Sequence, residues 1–221
     1  MTSQEVFLEV TQMVNRNITN NNASLDRLRF VLLYNSIETR YVEWVLEKRN
    51  EDYLRYVSLL LKQGKELSLE SETDMYQAYK LPDDFFDHSN LRAYAKSACG
   101  AVKLRTHEVK NDDIEELYHD VNHEPSVEYE DTFYHLASGN VSVYRKDFSF
   151  SKIELDYYRK PRGLDIEGYV KADGSASVNL DPELPDNAVR KIILAIAKQF
   201  AANMSDGNAY QLSKDSLFSV I

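Results

Sequence analysis

The chain has little of what several protein classes require. It contains one cysteine, Cys99, in 221 residues, which excludes an intrachain disulfide and agrees with a reducing compartment. No apolar run approaches the ~20 residues that a bilayer-spanning helix needs. The first residues, Met1–Glu5, lack the basic start and apolar core of a secretion signal. The sequence therefore predicts a soluble intracellular protein without disulfides.

Glycine and positive charge are also scarce. The seven glycines form no cluster, so the phosphate-binding loops of nucleotide enzymes are not predicted. The formal net charge is -10, and an acidic surface repels the phosphates of nucleic acids. Tight binding of DNA or RNA is therefore not expected. A protein that DNA slides past remains compatible with this charge.

Apolar residues at helical spacing predict helices at both ends of the chain. The first predicted helix spans Gln4–Asn15, and a second, long helix follows with Ser24 as its N-cap. Within it, the stretch Phe30–Tyr34 is apolar almost all round, which predicts burial on several sides. The helical pattern continues to Leu61 and stops at Gly64. Asp186 is the predicted N-cap of a strong amphipathic helix near the end of the chain.

The middle of the chain favours strands. Ser71–Tyr79 has the pattern of a short helix, and Ile114–Val121 that of another. Thr132–Tyr144 reads as a hairpin around a Ser-Gly-Asn turn, and Ile153–Tyr157 alternates as a further strand. The predicted fold class is α+β: a helical bundle formed by the N- and C-terminal helices, residues 1–80 and 184–221, with a β-rich insertion over residues 81–183.

Two constellations suggest chemistry, but each has a simpler interpretation. His119 and His123 are four residues apart beside Asp120, so on a helix both imidazoles would share a face and could bind zinc. Pro125 ends that helix almost at once, and a solvated helix end is the favoured interpretation. Cys99 and His107 could form a thiol and its base, but a cysteine between Ala98 and Gly100 is more typical of packing. The sequence predicts no catalytic residue, no metal ligand and no cofactor.

Two segments are candidates for protein–protein contact. The only basic and aromatic cluster lies at residues 157–162, where stacking on nucleic acid is the weaker alternative to contact with an acidic neighbouring subunit. The last five residues are mostly apolar and would dock either on a neighbour or on their own core. The fifteen tyrosines suit surfaces that assembly buries, or else the edge of a core. The candidate interface residues are Tyr157, Tyr158, Arg159, Lys160, Arg162, Leu217, Phe218, Val220 and Ile221.

Several short motifs follow one another along the chain: Ser24–Leu28, Asn35, Leu81–Phe86, the paired segments Phe133–Leu136 and Val141–Tyr144, Tyr157–Pro161, and Leu184–Asp186 before the closing helix. Their order resembles that in the head-to-tail connector, or tail adaptor, proteins of tailed bacteriophages. The resemblance spreads over nearly the whole chain. The particular residues of these motifs are similar to those of the ring proteins of crAss-like phages. The chain differs from the family in its longer stretch between Asp83 and Pro125.

The resemblance implies a structural virion protein without catalytic residues. Such proteins form rings, commonly of twelve copies, in which helices make the wall and a β-rich part projects. The implied partners are further copies of the chain, the portal protein and an adjacent tail or ring protein, and no membrane. DNA would pass through the lumen without specific binding. The protein would be made in the host cytoplasm and would reside in the virion, at the head-tail junction. The alternatives are a metal-dependent hydrolase that uses His119 and His123, or a non-viral intracellular helical adaptor.

Overall fold

The computed structural model describes residues 1–17, 25–97, 100–137 and 139–204. The chain divides into two compact units. One unit, here called the sheet unit, is the continuous segment Leu61–Lys160. The other, the helical unit, combines the described residues of Met1–Leu60 with those from Pro161 to residue 204. Each unit has its own packing and is described separately.

The sheet unit is a single eight-stranded mixed sheet. Its strand order is β1-β8-β4-β5-β6-β7-β3-β2, and only β5 and β6 pair in parallel. The link between those two contains a 3-10 turn, Asn111–Asp113, and the short helix α4, Ile114–His119. The strands are β1 Leu61–Glu66, β2 Leu69–Glu72, β3 Tyr76–Lys80, β4 Phe85–Ser97, β5 Gly100–Glu108, β6 Asp131–Ala137, β7 Asn140–Tyr144 and β8 Phe150–Arg159.

The sheet curls into a half-barrel. Strands β1 and β2 lie at opposite ends of the strand order, yet only Leu67 and Ser68 separate them along the chain. Because so short a link spans only about 10 Å, the sheet must curl to bring its two outer edges near each other there. The enclosed core is apolar and includes Leu67, Tyr79, Leu91, Leu104, Tyr134, Val143, Ile153, Leu155 and Tyr157.

The predicted fold class is wrong. Over residues 1–17, 25–97, 100–137 and 139–204, the chain is mostly a curled eight-stranded mixed sheet accompanied by five short helices, and it is not a helical bundle with a central β-rich insertion. The error begins at residues 61–80, where the predicted helices are instead strands β1, β2 and β3. Strand β4, the longest strand, has thirteen residues.

Tertiary pairing explains why residues 61–80 are strands. Met75, Gln77 and Ala78 favour helix as isolated residues. Strand β3, however, pairs with β7 along its whole length, from Tyr76 opposite Tyr144 to Lys80 opposite Asn140. This pairing buries three consecutive residues, Gln77, Ala78 and Tyr79, so neither the period of a helix nor strict alternation is visible in the sequence.

The helical unit is built from α1 Ser3–Asn17, α2 Arg27–Lys48, α3 Glu51–Val57 and α5 Asp186–Met204. Helix α5 packs against both α1 and α2, and Phe7 of α1 meets Phe30 of α2 edge to face at 5.1 Å between ring centroids. The predicted first helix is confirmed, as are the amphipathic helix that starts at Asp186 and the β6–β7 hairpin. The predicted N-cap Ser24 lies outside the described residues, and the Asp26 side chain caps α2 by accepting the Arg29 N–H.

Two side chains fix the irregular segment that leads from β8 to α5. Asn35 of α2 accepts the Leu164 N–H at 2.7 Å and donates to the Leu164 carbonyl at 3.1 Å. Asp165, which is buried, accepts hydrogen bonds from the Tyr169 hydroxyl and the Val178 N–H and pairs with Lys171. These bonds satisfy backbone groups that would otherwise be costly to bury.

Candidate assembly surface

The predicted aromatic and basic cluster does not form one continuous surface. Strand alternation places Tyr157 in the core of the sheet unit, where it is 4% exposed and stacks on Phe85. Its hydroxyl donates to Asp84 at 2.8 Å, and burial raises the pKa of Tyr157 to about 12. Contact between the aromatic ring of Tyr157 and a partner protein would therefore require local unfolding.

The other members of the cluster lie nearer the surface. Tyr158 and Arg159 are half-buried, whereas Lys160 and Arg162 are exposed. The Lys160 N–H donates to the Asp84 carbonyl, and the Arg162 N–H donates to the Glu183 carboxylate at 3.2 Å. The other candidate segment, with Leu217, Phe218, Val220 and Ile221, lies outside the described residues, as does Cys99.

The two histidines of the hydrolase alternative do not share a helix. Helix α4 ends at His119, and His123 lies four residues further along, in the turn that follows. The Nδ1 atom of His123 is 2.6 Å from the Asp120 carboxylate, in an exposed pair. Within residues 1–17, 25–97, 100–137 and 139–204, no group of three or more His, Cys, Asp or Glu side chains is placed to hold a metal ion.

Replacing both His119 and His123 with Ala should change the melting temperature by no more than about 3 °C, because exposed side chains contribute little to folding. Thermal unfolding followed by circular dichroism measures this. Metal analysis of the purified protein provides the second readout. A stoichiometric zinc signal that disappears in the double variant would show that the histidines are ligands.

The exposed leucines of the helical unit were not predicted. The turn Phe30–Tyr34 was expected to be buried on several sides, but Leu32 is 63% exposed and Leu28, one turn earlier, is 39% exposed. Leu8 of α1 and Leu194 of α5 are 57% and 41% exposed. The sequence did contain a signal for this exposure, because a turn of helix that is apolar all round cannot be covered completely. A helix packed on one side leaves part of such a turn exposed to solvent.

A groove between α1 and α5 is lined by one of these leucines, Leu194. Its volume is about 420 Å³. Met13, Ile193 and Leu194 form its apolar part. Glu9, Gln12 and Arg190 form its polar part, and Leu8 neighbours Glu9 on α1. The groove thus combines apolar surface with charges of both signs, as protein-binding surfaces often do.

The outer strands of the sheet are less suited to binding another chain. Strand β1 has a bulge between Lys62 and Lys65. Gly64 has φ +65° there, and its N–H donates to Asp156 at 2.6 Å. Strand β2 is only four residues long and is also irregular in register. Bulges, lysines and short strands are the usual protection of sheet edges against pairing with other chains.

Negative charge is concentrated in one part of the sheet unit. Residues 108–131 contain ten Asp and Glu residues and one Lys, and most of these acids are exposed. This segment includes α4 and the turn that follows it. Such a surface repels the phosphates of DNA.

The helical unit also buries a carboxyl group that has no hydrogen-bond partner in the part of the chain that the structure describes. Glu38 of α2 is fully buried, and neither of its side-chain oxygens has a hydrogen-bond partner among the described residues. Burial, and secondarily the charge of Glu183, raises the pKa of Glu38 to about 7. The hydroxyl of Tyr34, one turn earlier, is likewise buried without a partner, and burial raises its pKa. The Glu38 carboxyl is therefore neutral over much of the acidic range.

No family model matches the chain, and a search of curated proteins finds no significant match. Among the described residues, no helix is both long and apolar enough to cross a membrane.

Proposed function

We propose that this chain is a structural protein of a phage virion that assembles into a ring between the portal at the capsid vertex and the tail. The observation that carries the proposal is the set of exposed leucines on three helices of one unit, Leu8, Leu28, Leu32 and Leu194. Exposed apolar surface rimmed by charge is typical of protein–protein contact sites. The resemblance to head-to-tail connectors suggests that the assembly is a ring.

The ring has about twelve copies, as in the resembled family, and its neighbours are the portal protein and an adjacent tail or ring protein. DNA passes through the channel without specific binding. The acidic segment 108–131 supports this part of the proposal, because a negative surface does not retain DNA that must move. The proposal assigns no catalytic residue and no cofactor. The protein is made in the host cytoplasm and resides in the virion.

Pure protein should be a monomer or small oligomer and should form the ring only with the portal protein of the same phage. At a formal net charge of -10, copies repel one another until contacts with a partner outweigh the repulsion. Multi-angle light scattering of the protein, the portal and their mixture measures the masses. The expected result is a complex whose added mass equals a ring of copies.

A pair of matched variants makes this experiment specific. Leu32→Asp places a charge on the exposed surface of α2, and Val121→Asp does the same at a more exposed position in the sheet unit. Leu32→Asp should abolish ring formation, whereas Val121→Asp should leave it intact. The proposed function is wrong if the mixture of wild-type protein and portal shows no increase in mass.

A further inference from the structure

The α1–α5 groove is a concave surface of the helical unit whose lining is partly apolar. Met13, Ile193 and Leu194 provide that lining, and Leu194 is 41% exposed, so apolar surface lies open to solvent there. The polar part of the groove holds one acid and one base, Glu9 and Arg190. A groove with one charge of each sign gives no preference to an occupant of either charge. Because charged side chains are costly to bury, an uncharged, apolar occupant fits it best.

The sequence that follows α5 contains such a segment. Residues 216–221, here called the apolar segment, carry no charged side chain. The apolar segment lies outside the described residues. A run of this composition that stayed exposed to water would promote association with other molecules. Its large apolar side chains are Leu217, Phe218, Val220 and Ile221.

The apolar segment is tethered close enough to reach the groove of its own copy. Helix α5 ends at Met204, and the rise of a helix places Leu194 roughly 15 Å back along it. The chain between Met204 and Leu217 can span up to about 45 Å when extended, so it can turn back along α5 with length to spare. A tether of this kind gives an effective concentration on the order of millimolar. That value exceeds the concentration at which a separate partner is normally present.

We propose that the apolar segment docks in the α1–α5 groove of its own copy. Its large side chains cover Met13, Ile193 and Leu194, and its lack of charge leaves Glu9 and Arg190 without an opposing or competing ion. The contact lies within one copy and does not rest on the proposed ring. It closes the groove to other molecules, whereas Leu28 and Leu32 of α2 stay open to a partner.

Disulfide trapping in the full chain tests this contact. Cys99 is first replaced by Ser, and Gln12→Cys and Ser219→Cys are then introduced together. Both substitutions keep every apolar side chain, and Gln12 lines the groove at an exposed position. Mild oxidation should give a disulfide within the monomer, seen as a shifted monomer band on a non-reducing gel. Its rate of formation should not depend on protein concentration.

Two matched controls separate docking from random collision of the tethered thiol. Ser36→Cys replaces Gln12→Cys in the first control, because Ser36 is an exposed polar residue of α2. This pair should form the disulfide severalfold more slowly. In the second control, Phe218→Asp is added to the pair Gln12→Cys and Ser219→Cys. The tether and the thiols are then unchanged, and the rate should fall to that of the Ser36→Cys pair.

A thermal double-mutant cycle gives a readout that does not depend on thiol chemistry. Leu194→Ala and Phe218→Ala should each lower the melting temperature by roughly 2 to 5 °C. The double variant should lose no more than the larger single effect, because each substitution removes the same contact. Circular dichroism at 20 °C confirms that each variant has the helix and strand content of the wild-type protein.

Three results would overturn the proposal. The first is an equal rate of disulfide formation for the Gln12→Cys and Ser36→Cys pairs. The second is a disulfide-linked dimer whose yield rises with protein concentration, which would place the apolar segment in the groove of a second copy. The third is strict additivity in the thermal cycle, which would mean that Leu194 and Phe218 do not touch. The ring on the portal is measured separately by its mass, so it stands or fails independently of these results.

Discussion

Replacing Glu38 with Gln should stabilise the helical unit by roughly 3 kcal/mol at pH 8.5 and by much less at pH 5. The Glu38 carboxyl is fully buried and has no hydrogen-bond partner among the described residues. An ionised carboxylate in such a place is costly, whereas a neutral amide of the same shape carries no charge. The expected gain corresponds to roughly 6 to 12 °C in melting temperature.

The direction of the pH dependence follows from the two pKa values. In the unfolded chain the carboxyl has a pKa of 4.5, and burial raises it to about 7 in the folded protein. Between these values the folded state binds more protons than the unfolded state. The stability of the wild-type protein is therefore highest below pH 4.5 with respect to this group, and it falls as the pH rises through about 7.

Glu43→Gln is the matched control, because Glu43 lies on the same helix and is exposed. It removes the same charge from α2 but should shift the melting temperature little at either pH. Urea denaturation of the three proteins between pH 4.5 and 8.5 gives the free energy of unfolding directly. A Glu38→Gln effect that is the same at pH 5 and pH 8.5 would show that the carboxyl does not titrate with a raised pKa.

The sequence predicts the helices well where one side of a helix is apolar and the other polar. Helices α1 and α5 have this pattern, and both were located correctly. Residues 61–80 could not be assigned in this way. Strand β1 is almost wholly exposed and β3 is buried at consecutive positions, so neither strand shows the alternation that identifies a half-buried strand. Their conformation depends on pairing with β8 and β7, which are far away in the sequence.

The candidate assembly surface also could not be predicted fully from the sequence. Tyr157 and Tyr158 are adjacent in the sequence, but a strand points adjacent side chains to opposite faces, and only Tyr157 joins the core of the sheet unit. Conversely, the apolar turn Phe30–Tyr34 indicated burial correctly for Phe30, Val31 and Tyr34. It could not show that Leu32 faces outward, because that depends on which side of α2 meets its neighbours. Composition therefore located the apolar segment, and tertiary packing decided which part of it is free for contact.

Asn35→Ala should destabilise the helical unit by about 2 to 3 kcal/mol, because it leaves two buried backbone groups of Leu164 without partners. Leu164 is almost fully buried, and Asn35 is the side chain that bonds both its N–H and its carbonyl. Ser36→Ala is the control, since Ser36 follows on the same helix and is exposed. Asn35→Asp should cost at least as much at pH 7, because a carboxylate would face the Leu164 carbonyl oxygen.

The neighbouring Gly163 makes this prediction more specific. Its φ of +78° is costly for other residues, and an added Cβ would lie 3.0 Å from the Asn35 side-chain oxygen. Gly163→Ala should therefore destabilise the wild-type protein by about 1 to 3 kcal/mol. It should cost less in the Asn35→Ala background, where the close contact is gone and only the backbone strain remains. Urea denaturation of the two single variants and the double variant measures this coupling. Strictly additive effects would mean that Asn35 does not hold the backbone at Gly163 and Leu164.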